Sequence, residues 1–376
     1  MSKPESNIFE STLLGTGGGY GESLVIHLAN DNWIVIDSCI NPTTKGSLPL
    51  EYLENLGVDL KKNVKMIVCT HWHDDHIRGL SKLLEKCESA IFSMAKATDR
   101  KKFLRLVGLD DRKRKLESSI SSTIEINKCL EIIERRKTTI RQSIEDRLLL
   151  TSDENGIKYE VYSLSPSDYI MNQFDIEISS LITEYGSSNR KLILESPNSK
   201  SVVIYIKVNE LRVLLGADLE VEKDSNQKGW LRILDSSQVL AGKASLFKVS
   251  HHGSENGNHE RMWTELLLER PITKLTPWNK NGKLPTLDML NKIHNKSEIA
   301  LITSTFRNLK NKPKQRDKDI TKIIKTMKPS LEEVQFSYGQ VNCRSNIFNK
   351  NSIWCIDLSG SSKLINTDLF KEYPVS

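Results

Sequence analysis

The sequence is poor in the features that would anchor a chain in a membrane or staple it covalently. No apolar run approaches the ~20 residues that cross a bilayer. The opening stretch Met1-Ser2-Lys3-Pro4-Glu5-Ser6-Asn7 has no apolar core, which argues against a signal peptide. Cysteine is sparse: Cys39, Cys69, Cys87, Cys129, Cys343 and Cys355 are scattered without C-x-x-C spacing, so a disulfide framework is not expected. The expectation is a cytoplasmic protein with reduced thiols and no membrane partner. Internal repeats are absent. The glycine-rich stretch Gly15-Thr16-Gly17-Gly18-Gly19-Tyr20-Gly21 lacks the Lys-Ser/Thr of a phosphate-binding loop and precedes a strand pattern instead of a helix, which makes it a poor phosphate cradle. It reads instead as backbone that passes close to a neighbouring loop.

What remains is a globular composition, with 38% hydrophobic and 27% charged residues over 376 positions. That length can bury a large core. The net charge of +6 permits an anionic partner without requiring one.

The chemistry concentrates in Thr70-His71-Trp72-His73-Asp74-Asp75-His76. The apolar run Met66-Ile67-Val68-Cys69 leads into it and Ile77-Arg78-Gly79-Leu80 follows, an order of strand, tight loop and helix. His71 and His73 are one residue apart and can reach one metal from an extended loop, while Asp75 and His76 can serve a second. Imidazole with carboxylate suits Zn²⁺, and also Mn²⁺ or Fe.

Around this stretch a β/α rhythm is legible. Leu24–Leu28 and Trp33–Asp37, joined by a turn at Ala29-Asn30-Asp31-Asn32, predict a hairpin, and His27 inside it reads as a packed or surface histidine instead of a ligand. Residues 48–60 and 78–90 read as helices. The apolar spacing from Leu116 through Ile140, Ile144 and Leu148 predicts a helical insertion over 96–150. Residues 173–182 fit a helix or a strand. Ser201–Val208 and Leu211–Leu215 predict a second hairpin, which runs into Gly216-Ala217-Asp218. Leu246–Ser250 delivers His251-His252-Gly253-Ser254, and 270–376 continues the rhythm within the same single domain, with strands at Ile299–Thr303 and Ser352–Leu358.

The H-x-H-x-D-H stretch resembles the signature of the metallo-β-lactamase-fold hydrolases. That resemblance implies an αββα sandwich of the α/β class. It also implies a metal-bridging role for Asp218, a role for Asp37 in orienting the metal loop, and a last metal histidine at His251 or His252. Gly-x-Gly-x-Gly-Glu-Ser, Leu-Leu-Gly-Ala-Asp and Lys-Val-Ser-His-His-Gly-Ser narrow the resemblance to the competence (ComEC/Rec2-like) type, over residues 11–260, as a stand-alone soluble relative. Similar domains occur among nucleases, phosphodiesterases and bacterial anti-phage systems. One departure stands out: the family's third histidine is missing, since no histidine occurs from 77 to 217. The Ser165-Pro166 segment of the competence type stands in that interval.

The expected site is therefore one or two Zn²⁺ or Mn²⁺ ions on His71, His73, Asp75, His76, Asp218, His251 and His252, with Asp75 and His252 also in catalytic roles. The expected substrate is a phosphodiester of nucleic acid. Lys96–Lys115 and Arg307–Lys328 together carry eighteen basic against five acidic residues. Lys101, Lys102, Arg105, Arg112, Lys113, Arg114, Lys310, Lys312, Lys314 and Arg316 are the candidate phosphate contacts. Taken singly, such charges are also what a solvated helix face carries. Two other readings stay open: a phosphodiesterase of small molecules or lipid headgroups, and a metal-binding subunit of weak turnover with a protein partner in an operon-encoded complex.

Overall fold

The computed structural model describes residues 2–16, 21–95, 122–185, 197–222, 226–278, 284–304, 338–349 and 353–366. Two mixed sheets lie face to face. The first contains β1 (Ile8–Thr16), β2 (Glu22–Ala29), β3 (Asn32–Ile36), β4 (Val64–Cys69), β5 (Ile91–Met94) and β6 (Arg141–Gln142). The second contains β7 (Arg147–Glu154), β8 (Ile157–Ser163), β9 (Ile204–Val208), β10 (Leu211–Leu215), β11 (Ala244–Lys248), β12 (Leu267–Leu275) and β13 (Ile299–Ile302). The last strands are shared out: β14 (Tyr338–Asn346) and β15 (Cys355–Gly360) extend the first sheet beyond β1, and β16 (Lys363–Leu364) pairs with β13.

The local reasons are visible in the residues. Strand β2 is buried along its whole length, as befits a strand covered on both faces. Asn30 and Asp31 turn it into β3 with φ of 48° and 59°, the left-handed pair that a two-residue hairpin demands. His27 is buried in that hairpin, with Nδ1 donating to the Ile8 carbonyl at 2.7 Å and Nε2 accepting from the Asp31 amide at 3.1 Å. Burial lowers its pKa, and both ring nitrogens are engaged in packing.

The predicted helix over 96–150 is corrected. Residues 96–121 lie outside those described. The helix Ser122–Arg135 is present but stops there, because Lys137 adopts φ 52° and the amides of Lys137 and Thr138 turn back to Glu134 and Ile133. Ile140, Ile144 and Leu148 keep a four-residue spacing by coincidence. Arg141–Gln142 and Arg147–Glu154 are strands of different sheets with a turn between them, and Leu149, not Leu148, is the buried position. Residues 173–182 fall inside the helix Asp168–Tyr185.

Val25, Ile67, Ile206, Val213 and Leu246 form the core between the sheets. A second core of Trp230, Phe247, Trp263, Leu290 and Ile293 covers the outer face of the second sheet with helices. The layers are thus α, β, β, α. Strands β3 and β4 run parallel, as do β10, β11 and β12, so their carboxyl ends open on one edge of the sandwich.

Candidate metal centre

Each of those carboxyl ends delivers a polar residue: Asp37 after β3, Thr70 and His71 after β4, Asp218 after β10, His251 and His252 after β11, and Thr276 after β12. Asp37, Ala217, His251 and His252 all take left-handed backbone, with φ of 60°, 43°, 44° and 53°. None is glycine, so each is held there at a conformational cost that its surroundings must offset.

Two donor groups result. Asp75, His76, Asp218 and His252 are all buried and bring one ligand atom each within reach of the others, and His71, His73 and Asp218 form a second group. Asp218 Oδ2 is shared. It lies 3.4 Å from His76 Nε2, 3.4 Å from His252 Nε2 and 3.7 Å from His71 Nε2. Asp75 Oδ2 is 3.5 Å from the same nitrogens of His76 and His252. His71 Nε2 and His73 Nδ1 are 3.1 Å apart.

These residues fit a metal. Neither His76 Nε2 nor His252 Nε2 has a hydrogen-bond partner, although both are buried. Buried polar atoms are otherwise paired. Four ligands at zinc bond lengths of 2.0–2.2 Å stand about 3.3–3.6 Å from one another in a tetrahedron, which is the separation found here. The outer nitrogens are already fixed. His76 Nδ1 is 2.7 Å from Asp37 Oδ2, and His252 Nδ1 is 3.0 Å from the Thr276 carbonyl, leaving Nε2 of each to face inward.

The electrostatics agree. Burial opposes a charge on His252, yet Asp218 and Asp75 outweigh it and push the imidazole up to about 10. His76 is likewise held well above its ordinary value against burial, by Asp218, Asp75 and Asp37. His71 goes the other way: burial, with His76 and His73 alongside, keeps it well below. Burial would raise the carboxyl of Asp218, but His252 and His76 hold it well below the usual range. The acids around His76 and His252 thus call for positive charge, which protons supply in the absence of a cation.

Asp37 also falls in a possible donor set with His71 and His76. Its oxygens are taken: Oδ1 accepts from the Thr70 amide and Oδ2 from the Thr70 hydroxyl, both at 2.7 Å, besides His76. It therefore fixes the His76 ring and the start of the loop at Thr70. Thr70 passes that order on, its hydroxyl lying 2.9 Å from His71 Nδ1. The sequence reading assigned Thr70 no part.

His251 lies outside both groups. Its ring is half-buried between Asn256 Oδ1 at 3.1 Å, Ser254 Oγ at 3.0 Å and Asn198 Nδ2 at 3.2 Å. The 163–168 turn does not replace the missing histidine among the described residues. Ser165 bonds the Ser201 carbonyl and the Val203 amide, Ser167 bonds the Gln227 carbonyl, and Asp168 is exposed at its helix start. Lys101, Lys102, Arg105, Arg112, Lys113, Arg114, Lys310, Lys312, Lys314 and Arg316 lie outside the described residues.

Of the glycine stretch, Gly21 does bring backbone against the loop, and residues 17–20 lie outside those described. A Cβ on Gly21, where φ is 131°, would sit 2.7 Å from the Asp75 carbonyl oxygen and 2.7 Å from Cys39 Cβ. Gly21→Ala should therefore cost about 1–3 kcal/mol of stability and loosen the Asp75 loop. Thermal unfolding together with metal content would show both effects, and a variant as stable and as metal-rich as the parent would refute the close approach.

Residues 16–127 match the model of the metallo-beta-lactamase superfamily, and the two-sheet α/β arrangement matches that fold. The superfamily is one of metallo-hydrolases. Solved structures similar to the chain include MEM-A1, a subclass B3 metallo-beta-lactamase from a soil metagenome library, at 13% identity over 69% of this chain and 86% of that one, TM-score 0.32. Another is AidC, a dizinc quorum-quenching lactonase, at 12% identity over 52% of this chain and 55% of that one, TM-score 0.29. A third is a putative metallo-beta-lactamase from Thermotoga maritima, at 16% identity over 55% and 79%, TM-score 0.26. No curated protein matches the sequence. No helix among the described residues is long and apolar enough to cross a membrane.

Proposed function

We propose that the protein is a dinuclear metal-dependent hydrolase of phosphodiester bonds, with nucleic acid as its substrate. The observation that carries the hydrolytic part is the sharing of Asp218 Oδ2 between the two donor groups. On this reading Asp75, His76, Asp218 and His252 hold one ion, and His71, His73 and Asp218 hold the other. Zn²⁺ is the first candidate and Mn²⁺ the second. The ions, when bound, supply a hydroxide near neutral pH and polarise the scissile oxygen.

The chain's own residues do the rest. Asp37 and Thr276 fix the tautomers of His76 and His252, so that both present a lone pair inward. Asp75 belongs to the donor group and faces both imidazoles, which hold its carboxyl well below the usual range against burial and keep it ionised as a donor. His251, aligned by Asn198 and Ser254 but outside the donor groups, is placed to meet substrate, which splits the His251-His252 pair into one substrate-facing and one metal-facing ring.

The choice of a phosphodiester rests on the competence-type motif forms that contain Glu22, Asp218 and Lys248-Val249-Ser250-His251-His252, and on the eighteen basic residues of the two stretches. Cytoplasmic placement and a protein partner in an operon-encoded, defence-type complex belong to the same proposal.

The test is incubation of the protein with labelled single- and double-stranded DNA and RNA, and with a chromogenic small diester, under Zn²⁺ or Mn²⁺. Cleavage of a nucleic acid that disappears in Asp75→Ala/His76→Ala is the expected result. Turnover of the small diester alone would move the substrate to small molecules. Bound metal with no turnover of any diester would favour a binding subunit, a reading supported by the three-donor group of His71, His73 and Asp218.

A further inference from the structure

Behind the donor cluster, toward the core between the sheets, lies an ion pair that the proposed chemistry does not use. Lys248 ends β11 with its side chain 1% exposed, and Glu22 begins β2 with its side chain 5% exposed. The two are in direct contact. The Lys248 ammonium also donates to the Ala217 carbonyl at 3.2 Å and stands 3.8 Å from Asp218 Oδ1. Burial would strip its charge, but Glu22 and Asp218 outweigh burial and raise its pKa. A cavity of about 10 Å³ lined by Glu22, Asp37, Thr70, Ala217 and Lys248 lies alongside.

A buried lysine–glutamate pair is weak evidence for stability, since well-packed apolar residues of similar volume serve as well or better. Its position beside Asp218 is the more telling fact. The two oxygens of that carboxylate have different neighbours. Oδ2 meets the imidazoles of both donor groups, while Oδ1 has no hydrogen-bond partner and has the Lys248 ammonium 3.8 Å away.

We propose that Lys248, clamped by Glu22, is a positioning residue that holds Asp218 Oδ1 back, so that only Oδ2 is presented to the ions and can be shared. A carboxylate free to turn would give both oxygens to the richer group of Asp75, His76 and His252. His71 and His73 would then be left without an acid. This inference rests on the metal reading above.

The test uses Lys248→Met, Lys248→Met/Glu22→Leu and Glu22→Gln, with Zn²⁺ affinity measured by competition with a chromophoric chelator and stability by thermal unfolding. Lys248→Met strands the Glu22 charge and lowers the melting temperature; the double variant restores it. Both bind the first ion as the parent does and the second at least tenfold more weakly. Glu22→Gln keeps the cation but loosens the clamp, and its second-ion affinity falls between those of the parent and the double variant. A double variant that regains both its melting temperature and the parent's second-ion affinity would show the pair to be merely structural. Loss of both ions, or unchanged second-ion affinity in Glu22→Gln and in every folded Lys248 variant, would equally overturn the proposal. A parent protein that binds no ion would instead defeat the metal reading itself.

Discussion

Asp218→Ala should lose metal and hydrolysis together. Asp218 belongs to both donor groups, and its Oδ2 is within 3.4–3.7 Å of three imidazole nitrogens from two strand ends. Without it one group falls from four donors to three and the other from three to two. Two donors do not retain zinc against buffer, and three histidine or carboxylate donors are a bare minimum. The loss of rate should exceed the ~10²–10³ that removal of one transition-state contact costs. The charge balance also suffers, because Asp218 is the principal group holding His76 and His252 protonated against burial when no cation is bound. In the metal-free state the variant should therefore show a lowered His252 pKa, visible by NMR. Elemental analysis after gel filtration, with the diester assay alongside, checks the main claim. Two tightly held ions in Asp218→Ala would mean that the shared oxygen is not the hub it is taken to be here.

Much of this was legible in the residues because it is local. Met66–Cys69 is an apolar run, and the ligands that follow it lie within six positions, so strand and site announce themselves together. Asn30-Asp31 between two apolar runs is a turn by its own chemistry. Asp218 and the His251-His252 doublet were legible only through their order relative to His71, because nothing in Gly216-Ala217-Asp218 alone points to a cation. The sequence left His251 and His252 undecided, since two successive left-handed residues bring only the second ring into a donor group, and nothing in the doublet itself encodes that backbone. Thr70 and Lys248 were missed for a different reason. Their partners, Asp37 and Glu22, are brought to them by sheet pairing and by the stacking of two sheets, and no spacing along the chain encodes that. The same holds for β14, which crosses from the far end of the chain to pair with β1. The helical insertion expected through Leu148 stops at Arg135, because the four-residue spacing of Ile140, Ile144 and Leu148 runs across two loop positions and one exposed strand position and marks no continuous face.

The two ions should not bind alike. Asp75, His76, Asp218 and His252 give one site four protein donors with both imidazoles pre-oriented, by Asp37 and by the Thr276 carbonyl. The other site has His71, His73 and its share of Asp218, and the hydroxyls of Ser165 and Ser167, which stand where a third histidine would be sought, are already bonded to backbone. Fewer fixed donors mean weaker binding and more positions open to water or to a substrate oxygen. Zinc titration of the stripped protein should therefore show two phases, the second at least tenfold weaker, with hydrolysis rising through the second phase only. Orthophosphate should tighten that phase, because a ligand that binds the doubly loaded form draws the equilibrium toward it. His73→Ala should abolish the weak phase and spare the tight one, whereas His252→Ala should remove the tight one. Two equally tight phases, indifferent to phosphate, would mean that the His71/His73 shell is completed by a group other than those described. A tight phase that survives His252→Ala would overturn the assignment of His252 Nε2 to that ion.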